Sequence, residues 1–329
     1  MNQNQTGQPL CSKTGQLYLL PTALAGQLVE VIQIGSQSDI EAGWKGVCVF
    51  MSIHNSLPGR RMSMRFNSDS SLACVLAAML LAGSISMLPA QAHAETNLNA
   101  AAGISFDNNV NGSPDSPSKA NQLSDSYETL SASGVYFTPL DKAQTWYFIG
   151  QLGALTTIYN KYNNLDSSML VGSAGLYKQL SSTWSIQGTG RGFSRITKQV
   201  DRNSNGVGAS LELKKQLTKT IWLKGVGDYE VSTANLKAYS YTGITWGANL
   251  GYLPFKDTFL NLGYSHNSRK FKTAQLFKTK SQTLYAELSQ RLSKNWYLTG
   301  GVAGMKSKSN YAGTAYTNYI ESIGLSFSY

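Results

Sequence analysis

Five times the chain repeats one beat: a short polar turn, a bulky aromatic, then an alternating run. It reads Pro139-Leu-Asp-Lys-Ala-Gln-Thr-Trp146, Leu180-Ser-Ser-Thr-Trp184, Leu217-Thr-Lys-Thr-Ile-Trp222, Pro254-Phe-Lys-Asp-Thr-Phe259 and Leu292-Ser-Lys-Asn-Trp296. The aromatics fall at 146, 184, 222, 259 and 296, in steps of 38, 38, 37 and 37 residues. A fixed period identifies the repeating unit. A unit of this length holds two strands of roughly 10–14 residues, one tight turn and one longer loop, which is a β-hairpin with its aromatic at a constant height. A soluble sheet has no reason to set aromatics at one level. A sheet crossing a bilayer does, because Trp and Tyr gather at the lipid–water boundary. The repeat therefore predicts an all-β chain, a transmembrane antiparallel up-and-down β-barrel. Trp146, Trp184, Trp222, Phe259 and Trp296 would form its boundary girdle.

Composition agrees with strands rather than helices in the membrane. Charged residues are 14% of the chain, against about 25% in soluble domains. Mean hydropathy is only -0.21, as it must be when lipid-facing and interior residues alternate and cancel. Only the segment 72–88 approaches the run of about 20 apolar residues that a membrane helix needs. Period-2 alternation places strands at about 96–107, 124–138, 144–158, 167–179, 183–197, 205–216, 220–233, 241–253, 258–270, 279–292, 295–308 and 316–329, which predicts twelve strands. In the first, Leu98, Ala100, Ala102, Ile104 and Phe106 oppose Asn97, Asn99, Ser105 and Asp107. The third, fourth and eleventh alternate poorly, and their faces are not assigned by pattern. The short connections carry the aromatic beat and the others are longer. That is the outer-membrane asymmetry of short periplasmic turns and long external loops, with both termini in the periplasm.

Residues 1–61 lack the period and hold Cys11 and Cys48. From Met62 the chain has a basic start (Arg65), an apolar stretch (Leu72–Leu88) and a small-x-small site, Ala92-His93-Ala94. This is signal-peptide anatomy, with cleavage expected after Ala94. Residues 1–61 then read as upstream sequence ahead of a start at Met62 or Met64. The alternative is a genuine or disordered extension with an uncleaved anchor at 72–88. Since Cys74 lies in the signal segment, residues 95–329 contain no cysteine, hence no disulfide framework and no thiolate metal site.

The chain ends Ser322-Ile-Gly324-Leu-Ser-Phe327-Ser-Tyr329. This resembles the C-terminal β-signal of Gram-negative outer-membrane barrels: polar, any, Gly, two of any kind, aromatic or apolar, any, aromatic. The resemblance implies that Gly324, Phe327 and Tyr329 are recognised by the barrel-assembly machinery. It covers eight residues as a motif and residues 95–329 as an architecture, and it selects no subfamily. Closing the last strand on the first would remove both sheet edges.

Alternation points Asp107, Arg191, Arg195, Glu212, Lys214, Lys224, Asp228, Glu230, Arg269, Glu287 and Arg291 to the interior. Charged rings set ion preference in a pore, with Arg and Lys favouring anions. Nine of these are the pore-lining candidates: Arg191, Arg195, Lys214, Lys224, Asp228, Glu230, Arg269, Glu287 and Arg291. The same charges pairing across a narrow interior would instead make a filled, structural barrel. The expected role is a porin-like channel for small polar solutes, anions among them. The rivals are a structural or adhesive surface barrel, or the membrane subunit of an envelope assembly.

A lipid-modifying hydrolase is the third reading. Gly263-Tyr-Ser-His266-Asn-Ser268 resembles the His-x-Ser of lipid A deacylases. Such catalysis needs an acid to orient the ring, for which Glu321 is the candidate. No enzyme is expected, and residues 95–329 show no phosphate loop, metal cluster or redox motif, so no cofactor is expected either. The formal net charge is +10, but the cations are scattered or on loops of an exported chain, which argues against nucleic acid. The expected partners are outer-membrane lipid and lipopolysaccharide. Arg269, Lys270, Lys272, Lys278, Lys280, Lys306 and Lys308 flank two loops, where they would either meet lipopolysaccharide phosphates or simply face solvent. The stretch 107–118 has turn chemistry, no apolar anchor and no calcium-loop spacing, and reads as a flexible loop.

Overall fold

The structure, a computed structural model, describes residues 22–24, 27–29, 94–115, 121–272, 277–311 and 314–329. The expectations for 1–61 and for the signal peptide 62–94 lie outside these residues, apart from a three-residue pairing of Thr22–Leu24 with Gln27–Val29. From Glu95 the chain forms twelve strands: β1 (Glu95–Asp107), β2 (Asp125–Pro139), β3 (Trp146–Tyr159), β4 (Ser167–Gln179), β5 (Trp184–Thr197), β6 (Ser204–Gln216), β7 (Ile221–Ala234), β8 (Tyr241–Phe255), β9 (Thr258–Phe271), β10 (Lys278–Arg291), β11 (Trp296–Ser309) and β12 (Tyr316–Ser328). Their limits lie within two residues of those read from alternation. Each strand pairs antiparallel with the next, and β12 pairs with β1 to close the barrel. No helix among the described residues is long and apolar enough to cross a membrane.

Hydroxyl and carboxylate side chains close the short turns, as turn chemistry requires. Ser181 Oγ accepts from the Trp184 amide at 3.1 Å, and Thr218 Oγ1 accepts from the Ile221 amide at 3.0 Å. Asp141 accepts from the amides of Thr145 at 2.8 Å and Trp146 at 2.9 Å. These bonds, led by the one from the Thr145 hydroxyl, hold the Asp141 carboxyl below its ordinary range.

The two walls have opposite chemistry. Exposed apolar side chains such as Ile104, Val207, Leu211, Ile244, Leu284 and Leu288 cover the outside. Buried polar ones such as Ser105, Asp107, Gln187, Lys224, Asn249, Asn261 and Glu287 line the inside. A continuous apolar exterior of this extent marks a surface made for lipid. On β11 the pattern blurs because Tyr297 and Ala303 are buried inside, and on β3 and β4 because the interior wall there is apolar as well. Val135, Phe137 and Ile149 form a cluster that Tyr147 and Tyr177 pack against, with Phe137 and Tyr147 stacked at 4.4 Å.

Two members of the expected girdle are corrected. Trp146 (39% exposed) and Trp296 (43%) stand on the outer wall, and Trp184 shares it by register, opposite outward Lys215. Trp222 and Phe259 point inward, 3% and 7% exposed, and stack on each other at 5.4 Å with planes 3° apart. The reason is a one-residue offset. In two turns the Leu180 and Leu292 amides bond to the carbonyls of Trp184 and Trp296, whereas the Leu217 amide bonds to Ile221. Ile221 thus takes the outward place and Trp222 follows one residue later, on the opposite face. In the tightest turn Phe255 pairs with Thr258, so Phe259 is likewise second in its strand, and Phe255 is the exposed aromatic there.

The 108–115 segment is also corrected. It is anchored, not loose. Asn109, 2% exposed, donates to the carbonyls of Ser113 (3.0 Å) and Thr317 (3.2 Å) and accepts from the Ser113 amide (2.8 Å). Asp115 accepts from the amide and hydroxyl of Thr317 at 2.9 and 2.8 Å. The segment is pinned to β12 beside the closing seam. At that seam Gly103 and Gly324 face each other, and a methyl group on Gly324 would lie 3.0 Å from the Ala102 carbonyl oxygen. The chain terminus completes the closure through reciprocal backbone bonds between Leu98 and Tyr329 at 2.9 and 2.8 Å.

Candidate functional site

The interior wall keeps its bulk off the axis by pairing large side chains with glycines. Trp222 lies across Gly251, Phe193 across Gly206 and Tyr285 across Gly263, each a direct partner on the next strand. In all three the ring occupies the space that a methyl group on the glycine would need. Aromatic rings covering cross-strand glycines hold register. Here they also lie flat against the wall.

The sequence candidates Arg191, Arg195, Lys214, Lys224, Asp228, Glu230, Arg269 and Glu287 share this inner wall by register. They do not act alike. Arg191 is clamped: it bonds Asp228 through both terminal nitrogens and Glu230 at 2.7 Å. Register explains the reach. Arg191, Gly208 and Glu230 stand in one row across β5, β6 and β7, and the missing side chain at Gly208 leaves room for the guanidinium. Tyr241 donates its hydroxyl to the other oxygen of Glu230.

Lower on the same wall, Lys214 and Lys224 are directly opposed. Lys224 pairs with Glu212 at 3.1 Å, and Lys214 stands 5.0 Å over the Trp222 ring. Opposed ammonium groups are tolerated when each has a separate partner. Arg291 sits at the short-turn rim and donates to the carbonyls of Ser293 (3.0 Å) and Lys294 (2.7 Å). It braces the turn instead of lining the passage, which corrects its assignment.

Two cations facing the cavity form no ion pair among the described residues, although Glu212, Asp228 and Glu230 line it too and Arg269 stands in one row with Gly243 and Glu230. Arg195 contacts only Met169 Sδ, at 3.6 Å, among its bonded partners. Arg269 lies 4.6 Å over the Tyr241 ring, and its buried Nε has no hydrogen-bond partner among the described residues. Both line a cavity of about 160 Å³ in the long-loop half of the barrel, shared with Arg191, Glu230, Tyr241 and Asn267. That is room for several waters among polar groups. Toward the short-turn end the interior holds the packed cluster of Trp222, Phe259 and Leu253. On the opposite wall Glu287 is 5% exposed, and its Oε1 has no partner among the described residues.

Alternation in the sequence found these side chains but missed their division into clamped and unclamped. A signal was present. The hairpin period sets residues about 37 apart on strands two positions away at equal height, and Arg191 and Asp228 are 37 apart.

The structure does not assemble the hydrolase candidates. His266 and Ser268 are on the outer wall, where His266 stacks on Trp246 at 5.3 Å. Glu321 is also outward, opposite Val302, but β10 and β11 separate it from β9. Three strand spacings put it roughly 14 Å away. Among the described residues no three His, Cys, Asp or Glu side chains form a metal-binding group.

No family model matches the chain, and no curated protein matches it in sequence. Solved structures do. An outer-membrane channel from Pseudomonas putida F1 aligns with a TM-score of 0.52 at 12% identity, over 74% of this chain and 97% of that one. NanC porin aligns with a TM-score of 0.42 at 10% identity, over 70% and 98%. KdgM porin in complex with disordered oligogalacturonate aligns with 0.41 at 13%, over 70% and 99%. At these identities the likeness is one of fold, and the fold is the closed antiparallel barrel of outer-membrane channels.

Proposed function

We propose that the protein is a porin-like channel of the outer membrane that passes small polar solutes and prefers anions. One observation carries this reading. Arg195 and Arg269 face a polar cavity of about 160 Å³ without forming an ion pair among the described residues, while Phe193 beside them lies over Gly206 and leaves the space open. An unclamped guanidinium pair in a low-dielectric wall concentrates anions. The outer-membrane channel from Pseudomonas putida F1 shares this barrel fold, in keeping with conduction. The anchored rings and paired interior charges of this barrel are also what a filled structural barrel would have, so solute passage is the property to test.

In the same reading the signal peptide is cleaved after Ala94, both termini and the five short turns are periplasmic, and the long loops face outward. Gly324, Phe327 and Tyr329 are presented to the barrel-assembly machinery. Phe327 on the outer wall packs on Trp296 at 5.2 Å, and Tyr329 is exposed at the seam.

The test is swelling of proteoliposomes in anionic, neutral and cationic solutes of equal size. Anions should enter fastest, and Arg195→Glu with Arg269→Glu should remove that preference while neutral solutes still enter. Swelling indistinguishable from protein-free liposomes would reject the channel. Unchanged anion preference in the double variant would reject the site.

A further inference from the structure

At the long-loop end the outer wall of β9, β10 and β11 carries Lys270, Lys278, Lys280, Lys306 and Lys308, all exposed. Register sets Lys270 opposite Lys278 and Lys280 opposite Lys308, with Lys306 one step lower, opposite Gln282. Opposed side chains on neighbouring strands have Cβ atoms about 5 Å apart, where like charges destabilise the sheet. None of the five forms an ion pair among the described residues. The one described carboxylate on the outer face of β9–β12 is Glu321. It lies four residues along β12 from Thr317, the partner of Lys306, which is roughly 13 Å down the wall. Two directly opposed lysine pairs therefore stand at the membrane boundary with nothing from this chain to neutralise them.

Below a polar step of Ser268, His266 and Gln282 the wall is apolar, with Leu262, Leu284 and Val302 exposed and Trp246 beside His266. Cations above an apolar strip complement a ligand with phosphates above acyl chains. An ammonium group binds phosphate as a point charge, and several acting together need no fixed bidentate geometry. Interior and exterior divide cleanly in this region: Arg269 turns into the cavity and the adjacent Lys270 turns out. The lysine cluster is thus separate from the solute path.

We propose that this patch is a binding site for the phosphorylated glucosamine headgroup of lipopolysaccharide, with its phosphates among the five lysines and its acyl chains along Leu284 and Leu262. The proposal depends on the outer-membrane orientation given above, with the long loops facing outward, and not on conduction. Native mass spectrometry of the barrel extracted from outer membranes in mild detergent counts the lipid A retained. The barrel should keep lipid A, and high salt should release it. Lys280→Ala with Lys308→Ala should lower its affinity at least tenfold, while Lys280→Arg with Lys308→Arg should preserve it. Lys306→Ala with Lys308→Ala gives a second charge-removing pair should the first fail to insert. The pair Lys178→Ala and Lys215→Ala, on the outer wall at the opposite end, should change nothing. Lipid A with its phosphates removed should not compete. Undiminished retention in the alanine variants, equal binding of dephosphorylated lipid A, or no lipid on a barrel shown by heat-shift on a gel to be folded would each overturn the site. Swelling assays on the same variants keep this result apart from the channel question.

Discussion

Replacing Trp222 by Ala separates the inward placement of this residue from the boundary role that its sequence position suggests. Trp222 is 3% exposed, stacked on Phe259 at 5.4 Å, laid over Gly251 and capped by Lys214 at 5.0 Å. Large-to-small changes of Trp in a packed core cost about 3–5 kcal/mol. The ring stack contributes about 0.5–1.5 kcal/mol of that and the cation–π contact about 0.5–1. The vacated space opens on the aqueous interior and fills with water, so the low end, about 3 kcal/mol, applies. With a urea dependence of about 1–3 kcal/mol per molar, the midpoint should fall by about 1–3 M. Under the proposed channel function the Trp222–Phe259 cluster stands in the solute path, so the same substitution should raise single-channel conductance. Both are measured on one sample: gel-shift unfolding in urea and planar-bilayer recording. Trp184→Ala, on the outer wall, should leave conductance unchanged. A variant at Trp222 with an unmoved midpoint and an unmoved conductance would refute the inward placement.

Three further outcomes follow from the geometry. Arg191→Ala leaves Asp228 and Glu230 facing each other without their cation. Loss of one partner from such a buried cluster costs about 3–5 kcal/mol, so urea stability should drop and bilayer reversal potentials should shift toward cation preference. Asn109→Ala removes three hydrogen bonds that pin the first long loop to β12. It should cost about 2 kcal/mol and speed amide exchange across 108–115. Asp141, whose folded-state carboxyl is held below its ordinary range, supports its turn above the unfolded value near 3.9. That support is lost as pH falls through the lower folded value. Amide exchange at Trp146, relative to an Asp141→Asn control, should therefore accelerate only in acid.

The strands were legible because each signal was local. Alternation marks the interiors of β1, β6, β8 and β10, and Ser, Thr and Asp side chains at 181, 218 and 141 mark the turns. The faces of β3 and β4 were not legible, since Ile149, Tyr147 and Tyr177, packed with Phe137 of β2, make the inner wall there as apolar as the outer one, and on β11 Tyr297 and Ala303 are buried inside. Trp222 was misplaced because a 38-residue step was taken as equivalent in each hairpin, whereas side-chain direction depends on the count from Leu217, which is one residue longer there. The docking of Asn109 and Asp115 on Thr317 joins positions about 200 residues apart, and nothing near either position announces it. The candidate site lay between these cases. Pattern placed Arg191, Arg195 and Arg269 inside, but Arg191 and Arg269 stand in like rows with Glu230, through Gly208 and Gly243, and only the side-chain geometry shows that Arg191 takes the carboxylates.

The most direct measurement is single-channel recording from the folded barrel in a planar bilayer under a salt gradient. Steady open steps, with a reversal potential displaced toward the anion, are the predicted result. A bilayer that stays silent with protein shown by gel shift to be folded and inserted would contradict an open passage, and the barrel would then be a filled, structural one.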